Sequence, residues 1–405
     1  MTQQNSKQDF LATRRNKLIT KEDLTSFLEK IETHVTNKKI LVIGGAGSIG
    51  AAFIDEIAKY LPKSIHIIDQ NENGLTNVVR DIRSNDSKIS NINLVTSPLD
   101  FGSKTTEQFI LDNGPYHVVY NFAAIKHVRS EKDIYSLMQM FDTNVLKHSK
   151  IIDFLIKNDL TQRYFSVSTD KTANPVSLMG ASKKLMELVL TCKHLKNKTS
   201  IYTSSTRFPN VAFSNGSLLH SFPIRYEKKE PIPSPLGIER YFISHQEAAQ
   251  ICLLASIDLN EANILVPKIN SNFKIYPIID VAKNFISSKN LTPVVVESKE
   301  EGYKIINSGD SKYPILATKP DTTGEKEYEE FVGNNEEIIN SNFINFDVVK
   351  SSSFNVEKLQ QFLSNLNHML SGEINTSKER LIKEISEIVP SFNHVETGIN
   401  LDSRM

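Results

Sequence analysis

A threonine, an aspartate and a lysine stand side by side at Thr169-Asp170-Lys171, and a second lysine, Lys183, follows twelve residues later. A hydroxyl, a carboxyl and an amine in one short stretch can bind a polar substrate and move protons to and from it. Between the two lysines stands Met179, whose thioether cannot shuttle a proton. Acid–base work in this stretch therefore falls to its neighbours, with Asp170 and Lys171 beside the hydroxyl as the first candidates.

A second group of residues can hold phosphate. Residues 39–43 read as a short buried strand and 51–61 as an amphipathic helix, and between them lies Gly44-Gly-Ala-Gly47-Ser48-Ile49-Gly50. Gly44 permits a tight turn, Gly47 lets backbone amides approach a pyrophosphate, and Gly50 allows close packing of helix on strand. The phosphates then meet a helix N-terminus, where free N–H groups and the dipole favour an anion. Asp69, nineteen residues after Gly50, ends the next strand and is placed to accept from ribose hydroxyls. A carboxylate there repels a 2′-phosphate, which predicts NAD over NADP. Arg80 and Arg83 leave NADP open, although their spacing also suits a solvated helix face.

The elements that must position these residues follow from pattern. Further strands are predicted at 65–69, 93–100, 117–122, 163–168 and 199–207. Helices are predicted at 75–84, 105–112, 134–158 and 179–195. Short apolar strands alternating with helices imply an α/β, Rossmann-like doubly wound parallel sheet. Residues 1–38 read as a helical extension with Leu24, Phe27, Leu28 and Ile31 at helical spacing, and 39–261 as the dinucleotide domain. Residues 262–340 read as a smaller substrate-binding lobe, joined by 208–236, and 341–405 as a C-terminal helical extension and tail.

Composition narrows the class. Lys plus Arg equal Asp plus Glu at 47 each, so no global field favours nucleic acid or an anionic membrane. No apolar run approaches the ~20 residues of a membrane span, and the polar start is unlike a signal peptide, so a cytoplasmic protein is expected. Cys192 and Cys252 read as buried thiols, and His220, His245 and His368 show no metal-ligand spacing.

Taken together, several pieces resemble the UDP-N-acetylglucosamine 4,6-dehydratase group of the extended short-chain dehydrogenases/reductases. They are 44–50, Ala123-Ala-Ile-Lys-His-Val128, Thr143-Asn144, Ser168-Thr-Asp-Lys171 with Asn174-Pro175, and Met179-Gly-Ala-Ser-Lys183. Arg207-Phe-Pro-Asn-Val211, Arg240-Tyr-Phe-Ile and Gly324-Glu-Lys-Glu-Tyr-Glu-Glu-Phe331 complete the set. The likeness spans about residues 38–335. The superfamily usually carries Tyr-x-x-x-Lys, and Met179 in the tyrosine's place marks one branch of the group. Two departures stand out: Pro209 where the group usually has glycine, and a loop at 311–323 without its usual arginine-proline.

The resemblance implies an internal redox cycle with retained NAD. Lys171 would be the base at C5, Asp170 the acid for the departing O6, Thr169 a hydrogen bond to O4, and Lys183 the holder of nicotinamide ribose. A lysine base must be partly neutral, through desolvation or a nearby cation such as Lys183. The O4 proton would leave through Thr169, Asp170 or a water to Lys183. Asp100 and Phe101 would lie beside the adenine, with Ala123 and Ala124 lining the cofactor. Lys126, Asn210 and Arg240 would hold a UDP-sugar, the arginine by a bidentate diphosphate contact. His127 is a weaker candidate beside Lys126. The broad apolar faces of 135–157 and 179–195 suit a homodimer or higher oligomer, and packing within one subunit equally well. A 4-epimerase and a cofactor-binding pseudoenzyme are the alternatives.

Overall fold

The computed structural model describes all residues except 1–2, 85–86, 197–200, 260, 271, 320–325, 327, 352 and 397–405. Short apolar runs form the first six strands, β1 (Lys39–Ile43), β2 (Ser64–Ile68), β3 (Asn93–Ser97), β4 (Val118–Asn121), β5 (Arg163–Val167) and β6 (Tyr202–Thr206). They lie parallel in the order 3-2-1-4-5-6, a doubly wound Rossmann-like sheet. Burial on both faces explains why β1, β2 and β4 are nearly continuous apolar runs.

Later strands are β7 (Asn210–Val211), β8 (Ile232–Pro235), β9 (Glu239–Ile243), β10 (Ile264–Pro267) and β11 (Ile275–Pro277). They are followed by β12 (Thr292–Val296), β13 (Lys312–Thr318), β14 (Glu337–Ile339) and β15 (Phe346–Lys350). Two of the expected boundaries need correction. β10 and β14, inside the span assigned to the smaller lobe, belong to the main sheet: β10 runs parallel to β6, and β15 and β14 close the edge antiparallel. β10 is buried throughout, as an interior strand must be. Lys312–Thr318, expected within a loop, is a strand between β8 and β12.

Before the sheet come α1 (Gln3–Thr13), α2 (Lys21–Ser26) and α3 (Leu28–Val35). Between strands run α4 (Ser48–Ala58), α5 (Glu72–Arg83), α6 (Ser87–Ser90), α7 (Lys104–Asn113), α8 (Ile134–Phe141), α9 (Lys147–Lys157) and α10 (Leu178–Lys196). α11 (Leu218–Glu227), α12 (His245–Asp258), α13 (Ile278–Ser287), α14 (Lys299–Ser308), α15 (Val356–Leu370) and α16 (Lys378–Ser386) follow. The N-terminal extension packs on the main domain through Phe27, Ile31 and Val35, with Phe27 stacked on Phe343 at 4.6 Å. Leu28, expected on that stripe, is 45% exposed, because the chain turns at Phe27 between α2 and α3.

The helix expected over 134–158 is interrupted by a π turn, Asp142–Leu146. α10 is buried from Leu178 to Leu190, and its outer face is covered within the same chain. Leu359, Phe362 and Leu366 of α15 and Leu381 and Ile385 of α16 share one core with Phe141, Leu188 and Val189. The smaller lobe is discontinuous, with Ala212, Phe222 and Ile232 packed on Val281, Phe285 and Ile315. Among the described residues no helix is long and apolar enough to cross a membrane, and no His, Cys, Asp and Glu converge as a metal site. Both cysteines are buried and free.

Candidate active site

Where the strand order reverses, between β1 and β4, the turns after both strands meet. Gly44 has φ +74°, and a Cβ there would lie 2.5 Å from the backbone nitrogen of Ala123. Only glycine fits on both counts. Gly50 packs against the Gly44 carbonyl with no room for a side chain, whereas a Cβ on Gly47 would meet nothing nearer than 3.5 Å. α4 begins at Ser48, three residues earlier than expected, so Ser48, Ile49 and Gly50 form its first turn at the floor of a cleft of about 330 Å³. Asp69 stands just past β2 and anchors this turn: Oδ2 accepts from Ala46 N at 3.0 Å and Oδ1 from Asn71 N at 2.9 Å.

The end of the third strand is held in place by a lysine. The Asp100 carboxylate accepts from Lys147 Nζ at 2.6 Å and Gly102 N at 2.9 Å. Burial opposes its charge, but Lys147 outweighs that and holds its pKa below the usual carboxylate range. The Phe101 side chain is buried between Lys147 and His148.

The three residues Thr169, Asp170 and Lys171 meet at the end of β5. Thr169 Oγ1 donates to Asp170 Oδ1 at 2.8 Å, and Lys171 Nζ donates to the same oxygen at 3.2 Å. Glu329 Oε1 lies 3.6 Å from Lys171 Nζ on its other side. Burial disfavours the Lys171 ammonium, but Asp170 and Glu329 outweigh it and hold its pKa above the ordinary lysine value. The expected depression is therefore absent, and the cation that opposes its charge is Arg240 rather than Lys183. Lys183 itself is buried, and its Nζ has no hydrogen-bond partner among the described residues. Burial brings its pKa down to about 8, with Glu187 opposing. A buried amine left unpaired beside a glycine cradle fits the ribose of a dinucleotide. Met179 is buried at the cleft wall.

A charged cluster beneath this turn escaped sequence reasoning. Glu187 of α10 accepts from Ser168 Oγ at 2.6 Å, Thr172 Oγ1 at 2.9 Å, and Arg207 Nε at 2.8 Å. Arg207, fully buried, also donates to Glu336 and to the Phe331 carbonyl. Glu336 in turn pairs with Lys184. Glu329 and Glu330, in a run that reads like a charged helix face, lie in a loop clamped onto the turn that carries Lys171. Lys326 Nζ donates to the Asn174 carbonyl and Asn174 Nδ2 to Glu330 at 2.8 Å, while Gly324, Glu325 and Glu327 lie outside the described residues.

Asn144, on the π turn, is buried and ties three elements together. Its side chain accepts from Ile125 N at 2.9 Å and donates to Ile125 O at 2.8 Å and Ser182 Oγ at 2.9 Å. The π turn thus turns a polar side chain inward to fix the loop that carries Ala124, Lys126 and His127. Those three residues line the cleft, and the His127 ring packs on Gly216. Asn210 lines it too, and its buried Nδ2 lacks a hydrogen-bond partner among the described residues, as a ligand-binding amide would. Arg240 is placed differently. It is buried, donates to the carbonyls of Glu239 at 2.8 Å and Lys326 at 2.9 Å, and does not line the cleft.

The glycine turn and the Thr169–Asp170–Lys171 turn thus share one cleft of a Rossmann-like fold. Residues 40–350 match the family described as polysaccharide biosynthesis protein, and the chain belongs to that family. The capsular polysaccharide biosynthesis protein CapD of Staphylococcus aureus is 28% identical over 76% of this chain, which spans 47% of CapD, about half its length. A UDP-N-acetylglucosamine 4,6-dehydratase (inverting) of Campylobacter jejuni is 26% identical over 58% of this chain and 68% of its own. A UDP-glucose 4-epimerase of Rickettsia rickettsii is 28% identical over 57% of this chain and 66% of its own. The solved structure of the Bordetella bronchiseptica enzyme WbmF in complex with NAD+ and UDP superposes with a TM-score of 0.51 at 17% identity, over 63% of this chain and 79% of that one.

Proposed function

We propose that this protein catalyses 4,6-dehydration of a nucleotide-activated N-acetylhexosamine, with UDP-N-acetylglucosamine as the first substrate to test and NAD as a retained cofactor. The observation that carries the reading is the hydrogen-bonded trio Thr169–Asp170–Lys171 beside a silent Met179. Asp69, the glycine cradle and unpaired Lys183 support NAD, as does the complex formed by WbmF. Bound there, NAD would supply a hydride acceptor for sugar C4 and a hydride donor for C6.

The chain's own residues would manage the protons. Thr169 would bond O4 and pass its proton to Asp170 along the 2.8 Å contact already formed. Asp170, so protonated, would donate to the departing O6. Lys171 would remove the C5 proton and, its ammonium exchanging with solvent, return a proton to C5. The O4 proton thus leaves in the released water, and no step asks anything of position 179. The product, a 4-keto-6-deoxy sugar nucleotide, would feed surface polysaccharide synthesis, in keeping with the family.

A 4-epimerase is the second reading, favoured by the Rickettsia relative, which is as similar to this chain as the dehydratase is. It would use the same cradle without needing a C5 base. Mass spectrometry after overnight incubation with a panel of sugar nucleotides separates them. Loss of the mass of one water supports dehydration, an isomeric product supports epimerisation, and untouched substrates with bound NAD would indicate a pseudoenzyme.

A further inference from the structure

Lys171 is bracketed by two buried carboxylates, Asp170 Oδ1 at 3.2 Å and Glu329 Oε1 at 3.6 Å. We propose that Glu329 takes the proton from Lys171 when a sugar nucleotide fills the cleft, so that the amine reaching C5 is neutral. This rests on the dehydratase reading and assigns a positioning residue to it. The step is a proton transfer only. An Nζ–H bond breaks and an Oε–H bond forms, and ammonium and carboxylate become amine and carboxylic acid. The amine then binds and releases the C5 proton, and Glu329 returns its own proton to Nζ at the end of the cycle.

Geometry selects Glu329 over Asp170. Oδ1 of Asp170 already accepts from Thr169 and Lys171, and Asp170 is the group that must carry the O4 proton to O6. Once Asp170 is protonated it can take no second proton, and Glu329 is the other carboxylate paired with Nζ among the described residues. Glu329 is 4% exposed, and its Oε2 has no hydrogen-bond partner there. A buried, half-partnered carboxylate is costly to keep charged. The charged groups around it are Lys171, Asp170, Arg240 and Lys326; burial first and Asp170 second raise its pKa against the three cations. Substrate entry removes water from the 26% of the Lys171 side chain still exposed, which further disfavours the ion pair.

The test uses purified holoenzyme, Glu329→Gln and Glu329→Asp. Labelling of Lys171 by an amine-selective reagent is followed against pH by peptide mass spectrometry, without substrate. Dehydration and nicotinamide reduction are followed with substrate. In Glu329→Gln, loss of a carboxylate should move Lys171 labelling to lower pH. Dehydration should nonetheless fall by about 10²-fold or more while sugar oxidation persists, with partial rescue in Glu329→Asp. A more neutral lysine with slower turnover distinguishes a proton acceptor from a bystander charge. Dehydration within about threefold of wild type, or parallel loss of oxidation and dehydration in both variants, would overturn the proposal. An unmoved labelling curve overturns the coupling whatever the substrate proves to be. A wild type that dehydrates no sugar nucleotide is instead a failure of the dehydratase reading.

Discussion

A Cβ on Gly180 would lie 2.6 Å from the carbonyl oxygen of Lys171, so the helix carrying Met179 and Lys183 is pressed directly onto the backbone of the catalytic turn. Contact this close sets Lys183 relative to Lys171 without any side chain between them. Gly180→Ala should force the two apart at a cost of about 1–3 kcal/mol. Activity is expected to fall more than cofactor binding does, measured as turnover against NAD titration. Unchanged turnover would remove this contact from the account.

Met179 is 3% exposed and packs in the core, so truncation to alanine would mix a cavity cost of about 2–5 kcal/mol with any chemical effect. Met179→Leu keeps the volume and is expected to retain most of the activity. Lys171→Ala should lose about 10²–10⁴-fold, the usual contribution of an acid–base group. Steady-state rates on both variants decide the matter, and a Lys171 loss below tenfold removes it from the mechanism.

Lys183 makes a stability prediction with a definite sign. Its pKa is about 8 in the folded protein and about 10.5 when solvated. Between those values the unfolded chain binds more protons, so this lysine's contribution makes stability rise with pH there. Below pH 8 the folded protein bears a buried charge costing about 1–3 kcal/mol. Lys183→Met should therefore stabilise the cofactor-free protein by about that amount at pH 7, with the gain vanishing near pH 10.5, in urea unfolding. A destabilised variant at pH 7 contradicts this.

Asp69 fixes the glycine turn through Ala46 N and is the residue proposed to accept from the adenosine ribose. Asp69→Ala should weaken NAD about tenfold or more and relax discrimination against NADP, measured by calorimetry. Wild-type protein that prefers NADP would contradict the assignment.

The glycine cradle, the parallel strands around it and the run at 169–171 were legible because their signals are local: a strand, a turn and a helix within a few residues. What escaped is long-range. Glu329 lies in a charged run that looks solvated and Glu336 just beyond it, and only the fold brings them against Lys171 and Arg207, more than a hundred residues away. Asn144 was singled out by the resemblance, but its contacts with Ile125 and Ser182 depend on the π turn, which periodicity does not show. Arg240 donates to main-chain carbonyls of Glu239 and Lys326, a pairing no local pattern announces. The apolar face of α10 left pairing between subunits and internal packing equally open, and α15 and α16 cover it from within the chain. Periodicity reports that a face is buried, never against what.

The central claim is that Lys171 breaks and remakes a carbon–hydrogen bond at C5, and one measurement tests it directly. UDP-N-acetylglucosamine is incubated with the holoenzyme in deuterated water, and the keto product is reduced at once with borohydride to stop non-enzymatic exchange. Deuterium at C5, with none delivered from solvent to C6, is the predicted result. An isomeric product without carbon-bound label would contradict the account and favour the epimerase.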